Sequence, residues 1–346
     1  MPASPERAAR KARTTPRAQL DMLCRTSRLT PDLRRVLLLC AGVLLAAAAG
    51  AAEPIKLTPL RVSEHVWYVQ GASGPASAAN KGYISNAGFV VTADGVVVID
   101  ALGTPALGRA LLAAIRGISD APIRRVIVTH YHSDHFYGLA AFKSAGAEIW
   151  AHRRAREYLE GSIASERLAQ RRQTLPEWVS ADMPLLPPDR WLEGSTTFEL
   201  GRLHFDLIYA GPAHAPDDMV VSVRQDRVLF AGDLVFSGRL PFVGDADSRR
   251  WLAAMDELLR LDPKVMVPGH GAASRDAAAE LVFTRDYLRY LRAAMGKAAE
   301  NMLPFEDAYR QTNWDRYRLL PAFEAANRAN AYGTYLLMES ELLQKK

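Results

Sequence analysis

The chain has 346 residues, 49% of them hydrophobic and 23% charged, with a formal net charge of +5. That is the composition of a globular protein, not of a disordered or fibrous one. Residues 1–52 carry nine basic and three acidic side chains, leaving 34 basic and 35 acidic for the other 294 residues, so the body has no electrostatic footprint for DNA or RNA.

The first predicted element is an export leader. Arg34-Arg35 precede an apolar run, Val36 to Gly50, that ends in the small residues Ala49, Gly50, Ala51 and Ala52. A basic segment, a short apolar run and a small-residue end make a secretory signal peptide. The run is shorter than the roughly 20 residues a membrane span needs. This predicts a cleaved signal over residues 1–52, with Met22 as an alternative start, and a periplasmic or secreted protein beginning near Ala52 or Glu53. A retained N-terminal membrane anchor is the competing reading, and the arginine pair is compatible with twin-arginine export. Cys24 and Cys40, the two cysteines, both lie in this leader. The body therefore has no disulfide, no thiolate metal site and no cysteine nucleophile.

Short strands are predicted next, at Val66–Val69 and as a hairpin of Phe89–Thr92 with Val96–Asp100 about the turn Ala93-Asp94-Gly95. Between them, residues 71–80 are a loop rich in Gly, Ser and Ala. Leu107, Leu111, Leu112 and Ile115 recur at helical spacing over 104–116. Arg125–Val128 reads as a buried strand, followed by a histidine-rich turn, a helix over 135–144 and a strand at 148–150. Residues 153–195, charged and then Pro-rich, interrupt the strand–helix alternation as an insertion. Strands resume at 197–210, 219–224 and 227–232. A helix is predicted over 248–261, a strand at Val265–Val267, and helices over most of 276–346. The reading is α/β layers over 53–275 with a helical C-terminal extension over 276–346.

Three of the eight histidines fall within six residues, in Thr129-His130-Tyr131-His132-Ser133-Asp134-His135. In a turn after a buried strand, His130 and His132 suit one centre and Asp134 and His135 another; imidazole and carboxylate are ligands zinc accepts. Three further ligand types follow predicted strands beside small residues: His214, Asp233 and His270. Together they make a metal site the expectation.

With these pieces in order, the sequence resembles the metallo-β-lactamase superfamily of hydrolases: Asp100 after a strand, His130-x-His132-x-Asp134-His135, His214, Asp233 and His270, over roughly residues 60–275. The resemblance implies a four-layer αββα sandwich with two metals at one edge of the paired sheets. It implies that one metal takes His130, His132 and His214, that the other takes Asp134, His135 and His270, and that Asp233 bridges them with a hydroxide. Asp100 is then the residue behind the ligands that orients the histidine turn. The stretch Leu229 to Val243 and the terminal Ala-Asn-Arg-Ala-Asn-Ala-Tyr are similar to a periplasmic branch that includes quinoprotein relay system zinc metallohydrolases and sulfur-oxidation relatives. A periplasmic quinoprotein dehydrogenase system is the partner this resemblance suggests.

The function that follows is a dinuclear zinc hydrolase using a metal-bridging hydroxide on an ester, thioester or lactone-type carbonyl, with Asp134 and Asp233 as the catalytic carboxylates. Manganese or iron are the other metals such ligands accept. The alternatives are a periplasmic β-lactamase and an iron-dependent sulfur dioxygenase-type oxidoreductase on the same fold. His152 and Arg239 are candidates for substrate contacts. His65 and His204 read as structural or exposed, Trp178, Trp191 and Phe198 as packing of the insertion, and Arg153, Arg154, Arg171 and Arg172 as a solvated helix face.

Overall fold

The computed structural model describes residues 55–344 except Asp245. The predicted leader lies outside the described residues. Two sheets face each other. The first has seven strands in sequence order: β1 (Leu60–Arg61), β2 (Val66–Val69), β3 (Ala87–Thr92), β4 (Gly95–Ile99), β5 (Ile123–Ile127), β6 (Glu148–His152) and β7 (Arg190–Leu192). It is antiparallel as far as β4 and parallel from β4 to β7. The second sheet runs β12 (Val265–His270), β11 (Val228–Phe236), β10 (Met219–Val223), β9 (Leu203–Tyr209) and β8 (Thr196–Leu200). Only the β11–β12 pair in it is parallel.

Helices cover the outer faces. On the first sheet lie α1 (Pro105–Arg116), the single turn α2 (Ser133–Phe136), α3 (Leu139–Ser144), α4 (Ala155–Leu159) and α5 (Ser162–Thr174). On the second lie α6 (Ser248–Arg260), α7 (Ala277–Glu300), α8 (Phe305–Gln311) and α9 (Phe323–Leu343). This is the four-layer αββα sandwich, with its C-terminal part helical.

Strand β4 shows why this order of layers suits the sequence. Gly95-Val-Val-Val-Ile99 is apolar at every position because both of its faces are covered. Val96 and Val98 pack toward the helices. Val97 and Ile99 pack between the sheets with Phe205, Phe230 and Val267. In β9 the pattern alternates instead: Leu203, Phe205 and Leu207 point inward and His204 is exposed.

Two sequence expectations are corrected. The helix expected over 135–144 is two short helices, because the helical ladder is interrupted at Gly138. Gly138 N donates to Leu102 O (3.0 Å), while the Asp134 carbonyl is taken by Ser85 Oγ (2.5 Å). The strand expected to stop before Asp233 continues to Phe236, with register shifts on either side of Gly232, where φ is +52°. Asp233 thus stands inside β11 at an irregularity that aims its side chain at the site.

Candidate metal centre

The C-terminal ends of the central strands bring all seven predicted ligands together, the place where open α/β sheets hold ligands. Asp100 follows β4. His130, His132, Asp134 and His135 occupy the turn after β5 and the short α2. His214 lies in the loop between β9 and β10, Asp233 inside β11, and His270 ends β12. His130, His132, His214 and Asp233 form one group with converging ligand atoms, and Asp134, His135 and His270 form a second.

Asp233 sits between the groups. Its Oδ2 is 3.8 Å from His130 Nε2, 3.5 Å from His214 Nε2 and 3.3 Å from His270 Nε2, and its Oδ1 is 3.1 Å from His135 Nε2. Asp134 Oδ2 is 3.3 Å from His270 Nε2 and 3.8 Å from His135 Nε2. His132 turns its Nδ1 inward, 3.0 Å from His214 Nε2. A backbone without side chain at position 269 permits this packing: a Cβ there would stand 2.0 Å from Asp233 Oδ1.

The other ring nitrogens are held from behind. His135 Nδ1 donates to Asp100 Oδ2 (2.9 Å), and His270 Nδ1 donates to Ile84 O (2.7 Å). Asp100 also accepts Thr129 N and Thr129 Oγ1, both at 2.8 Å. Since the Thr129 hydroxyl proton goes to Asp100, its oxygen is free to accept from His130 Nδ1 at 3.1 Å. These bonds fix the tautomers so that Nε2 of His130, His135 and His270 carries the lone pair into the site.

Burial and mutual charge set the protonation. Burial holds His130 well below its ordinary value, aided by the neighbouring His135. Burial, with His214 beside it, lowers His132 to about 3, and burial lowers His214 to about 4. All three are therefore neutral imidazoles at pH 7. Burial opposes ionisation of Asp233, but His270 and His135 outweigh it and keep that carboxyl well below its usual range. Burial likewise opposes charge on His135, and Asp233, Asp100 and Asp134 overcome it, so that Nε2 takes a proton where a bound cation would take its lone pair.

The residues fit a metal. His130 Nε2, His135 Nε2 and Asp233 Oδ1 are buried polar atoms without a hydrogen-bond partner. Orphaned buried groups of this kind are costly, and here they point at one another from a donor set of imidazole and carboxylate, the set divalent cations take.

Residues 80–270 match the family pattern described as the Metallo-beta-lactamase superfamily. The chain belongs to this superfamily. Over 232 residues it is 28% identical to the linear primary-alkylsulfatase of Pseudomonas sp. (strain ATCC 19151), an alignment covering 57% of this chain and 44% of that one. The chain thus matches less than half the length of that relative. It is 26% identical over 193 residues to the metallo-beta-lactamase type 2 of Elizabethkingia meningoseptica, covering 54% of this chain and 69% of the relative. Among solved structures it shares the fold of the sec-alkylsulfatase Pisa1 from Pseudomonas sp., with a TM-score of 0.61 at 19% identity over 81% of this chain and 50% of that one.

The other sequence candidates separate. Arg239 is 5% exposed and lines the cavity over the His–Asp cluster of this superfamily member, with Nη1 3.1 Å from His270 Nδ1. His152 is buried against Tyr209, ring centroids 3.8 Å apart, and does not line that cavity. Its stacking partner Tyr209 covers one face of the ring. His65 pairs with Asp226, and the exposed His204 meets Gln225. Tyr131 is buried among core side chains and its hydroxyl donates to Leu186 O. Trp178 and Trp191 pack against the core of the first sheet.

Several site residues carried no signal in the sequence. Thr129 acts through bonds to Asp100 and His130, and Ser85 and the Ile84 carbonyl through one bond each. Asn86 ties two segments together: its Nδ2 donates to Pro268 O and Gly271 O at 2.8 Å, and its Oδ1 accepts Gly71 N at 3.1 Å. Asp217 accepts Tyr131 N at 2.9 Å, which fastens the His214 loop to the histidine turn. Arg171, read as part of a solvated face, lines the cavity instead. Only an i, i+4 stripe with Arg167 hinted at a shared face.

Proposed function

We propose that the chain is a metal-dependent hydrolase of an ester, thioester or lactone-type carbonyl, with two divalent cations held by the two ligand groups and zinc as the metal. The observation that carries this reading is the convergence of seven His and Asp side chains, of whose inward atoms His130 Nε2, His135 Nε2 and Asp233 Oδ1 are buried without a hydrogen-bond partner. His130, His132 and His214 would hold one cation, Asp134, His135 and His270 the other, and Asp233 both. Bound zinc supplies a Lewis acid and lowers the pKa of water to about 7, so that hydroxide is present at neutral pH.

The chain's own residues do the rest. Asp100 and Thr129 hold His135 and His130 in one tautomer and one orientation. Asp134, whose Oδ2 faces His270 Nε2 and whose side chain lines the cavity, would also accept a hydrogen bond from the attacking water and so aim its lone pair. The cavity above is about 320 Å³, the size of a small-molecule site. Ile84 and Phe242 give it apolar wall, and Arg239 gives it a cation.

A second reading, hydrolysis of a sulfate ester, is favoured by the 28% identity to the alkylsulfatase across 232 residues. The test joins metal analysis of the purified protein to rates on a panel of thioester, lactone, β-lactam, alkyl sulfate and phosphodiester. We expect about two equivalents of metal and turnover of a carbonyl ester that a chelator abolishes and zinc restores. Fewer than one equivalent after reconstitution with zinc overturns the proposal. Turnover confined to the alkyl sulfate selects the second reading.

A further inference from the structure

Helix α5 lies in the crossover that joins the parallel strands β6 and β7, so this segment continues the strand–helix alternation it was expected to interrupt, and one face of α5 forms a wall of the cavity. Ile163, Arg167, Gln170, Arg171 and Thr174 all line it. Their spacing puts them on adjacent turns of one helix face. Arg167 and Arg171 are half-buried neighbours of like charge. Neither has a carboxylate partner among the described residues. Arg167 Nη1 donates to Gln170 Oε1 (2.8 Å), and Arg171 Nε donates to Ser133 Oγ (3.3 Å), the residue between His132 and Asp134. Other arginines are better satisfied: Arg153, Arg154, Arg224 and Arg227 pair with Glu193, Glu157, Asp206 and Asp262, and Arg61 and Arg172 each donate to two backbone carbonyls.

Two further side chains point the same way. Tyr158 lines the cavity with its buried hydroxyl unpartnered, and Arg239, also buried, lines it with Nε unpartnered. Half-buried cations side by side, with spare donors around them, are unfavourable until an anion takes those donors.

We propose that this wall is an oxyanion subsite: the substrate carries a carboxylate or a sulfate group that Arg167 and Arg171 bind while its scissile bond lies over the His–Asp cluster. The guanidinium forks match the two or three oxygens of such a group, and the Tyr158 hydroxyl adds a donor. The inference rests on the hydrolase reading for its scissile bond, but the anion site itself does not need turnover.

The test therefore has a binding arm and a kinetic arm. Calorimetry of the purified protein with hexanoate and with hexyl sulfate reads the subsite directly. We expect Arg167→Gln and Arg171→Gln each to weaken binding about tenfold, and Arg171→Lys to recover part of the loss. The better of the two ligands identifies carboxylate or sulfate. In the kinetic arm, p-nitrophenyl hemisuccinate is compared with p-nitrophenyl butyrate. The parent should prefer the anionic ester, and the preference should fall about tenfold in each glutamine variant. Arg153→Gln, at an exposed pair outside the cavity, should change neither arm. Melting temperatures within a few degrees of the parent show that the variants are folded. Equal binding of both anions by parent and glutamine variants overturns the subsite, whatever the esters do. Absence of turnover of every ester counts against the hydrolase reading alone.

Discussion

The floor of the cavity and the wall that α5 lends it are built differently. At the floor, His130, His135 and His270 lie in the turn after β5, in α2 and at the end of β12, are at most 3% exposed, and each has its second ring nitrogen held by a threonine, a carboxylate or a carbonyl. On the wall, Arg167 and Arg171 stand on a peripheral helix and each makes one side-chain contact. The floor is over-determined and the wall is not. Chemistry that depends on ligand geometry belongs on the first kind of support, and choice of substrate, which must vary without disturbing it, belongs on the second. Substitutions at the floor should therefore cost metal and turnover together, whereas those on the wall should change which substrate is preferred.

The largest effect is expected at Asp233, the one side chain facing both ligand groups. Asp233→Asn keeps the shape and removes the shared negative charge. We expect metal content to fall from about two equivalents to one or fewer, and turnover to fall by about a hundredfold or more, as read by elemental mass spectrometry and initial rates. His204→Asn, at an exposed histidine outside the site, should keep full metal content. Equal metal content and turnover in the Asp233 variant and the parent would end the two-cation assignment.

Asp100 tests the support behind the floor. Its carboxylate accepts three hydrogen bonds, from Thr129 N, Thr129 Oγ1 and His135 Nδ1. Asp100→Asn can satisfy only some of these. Metal affinity, titrated against a chelator, should fall about 10–100-fold, the range typical of residues that orient ligands. Stability should fall by about 2 kcal/mol through the broken buried bonds.

The same contrast explains what the sequence disclosed. The floor was legible because ligand chemistry permits few residue types and because those types sit next to strands whose apolar runs are unmistakable: Arg125–Val128, Leu207–Ala210 and Val265–Val267. Most strands and the helical C-terminal part followed from the same periodicities; the short β1 and β7 did not, and the stacking of two sheets was implied by the family resemblance. The wall was not legible. An arginine at i, i+4 on a charged helix reads as solvated, and only the packing of α4 and α5 on the first sheet turns Arg167 and Arg171 toward the cavity. The break at Gly138 and the run of β11 through Asp233 were also hidden, since both depend on hydrogen bonds between segments distant in sequence.

Asp217 joins the two sides of the ligand set, and it makes a prediction about pH. Burial pushes its carboxyl up to about 7 from a model-peptide value of 3.8, against the pull of its bond from Tyr131 N. Between these values the native state holds a proton that the unfolded state has released. Its contribution to stability is thus complete below about pH 4 and is lost as pH rises through 7. The neutral His132 and His214 act with the opposite sign, since their contribution is lost as pH falls below the ordinary histidine value of 6.5. Comparing Asp217→Asn with the parent cancels the histidines. Relative to the parent, the variant should gain about 2 kcal/mol between pH 5 and pH 8 in urea unfolding. A difference independent of pH would mean that Asp217 is ionised throughout.

The smallest effect is expected at His152, a sequence candidate for substrate contact that does not line the cavity. Its ring lies flat on Tyr209, its Nε2 is buried without a partner, and its Nδ1 meets Arg154 N at 3.4 Å, too long to contribute much. His152→Phe keeps the stack, removes the unsatisfied polar atom, and leaves the Tyr209 hydroxyl free to donate to Pro216 O as before. The lost weak bond and the relieved burial of a polar nitrogen oppose each other, so stability should stay within about 1 kcal/mol of the parent. Because the ring is walled off from the cavity, KM and kcat should each stay within about twofold. A KM raised fivefold or more at unchanged stability would put His152 back among the groups that meet substrate, and would require Tyr209 to move aside when substrate enters.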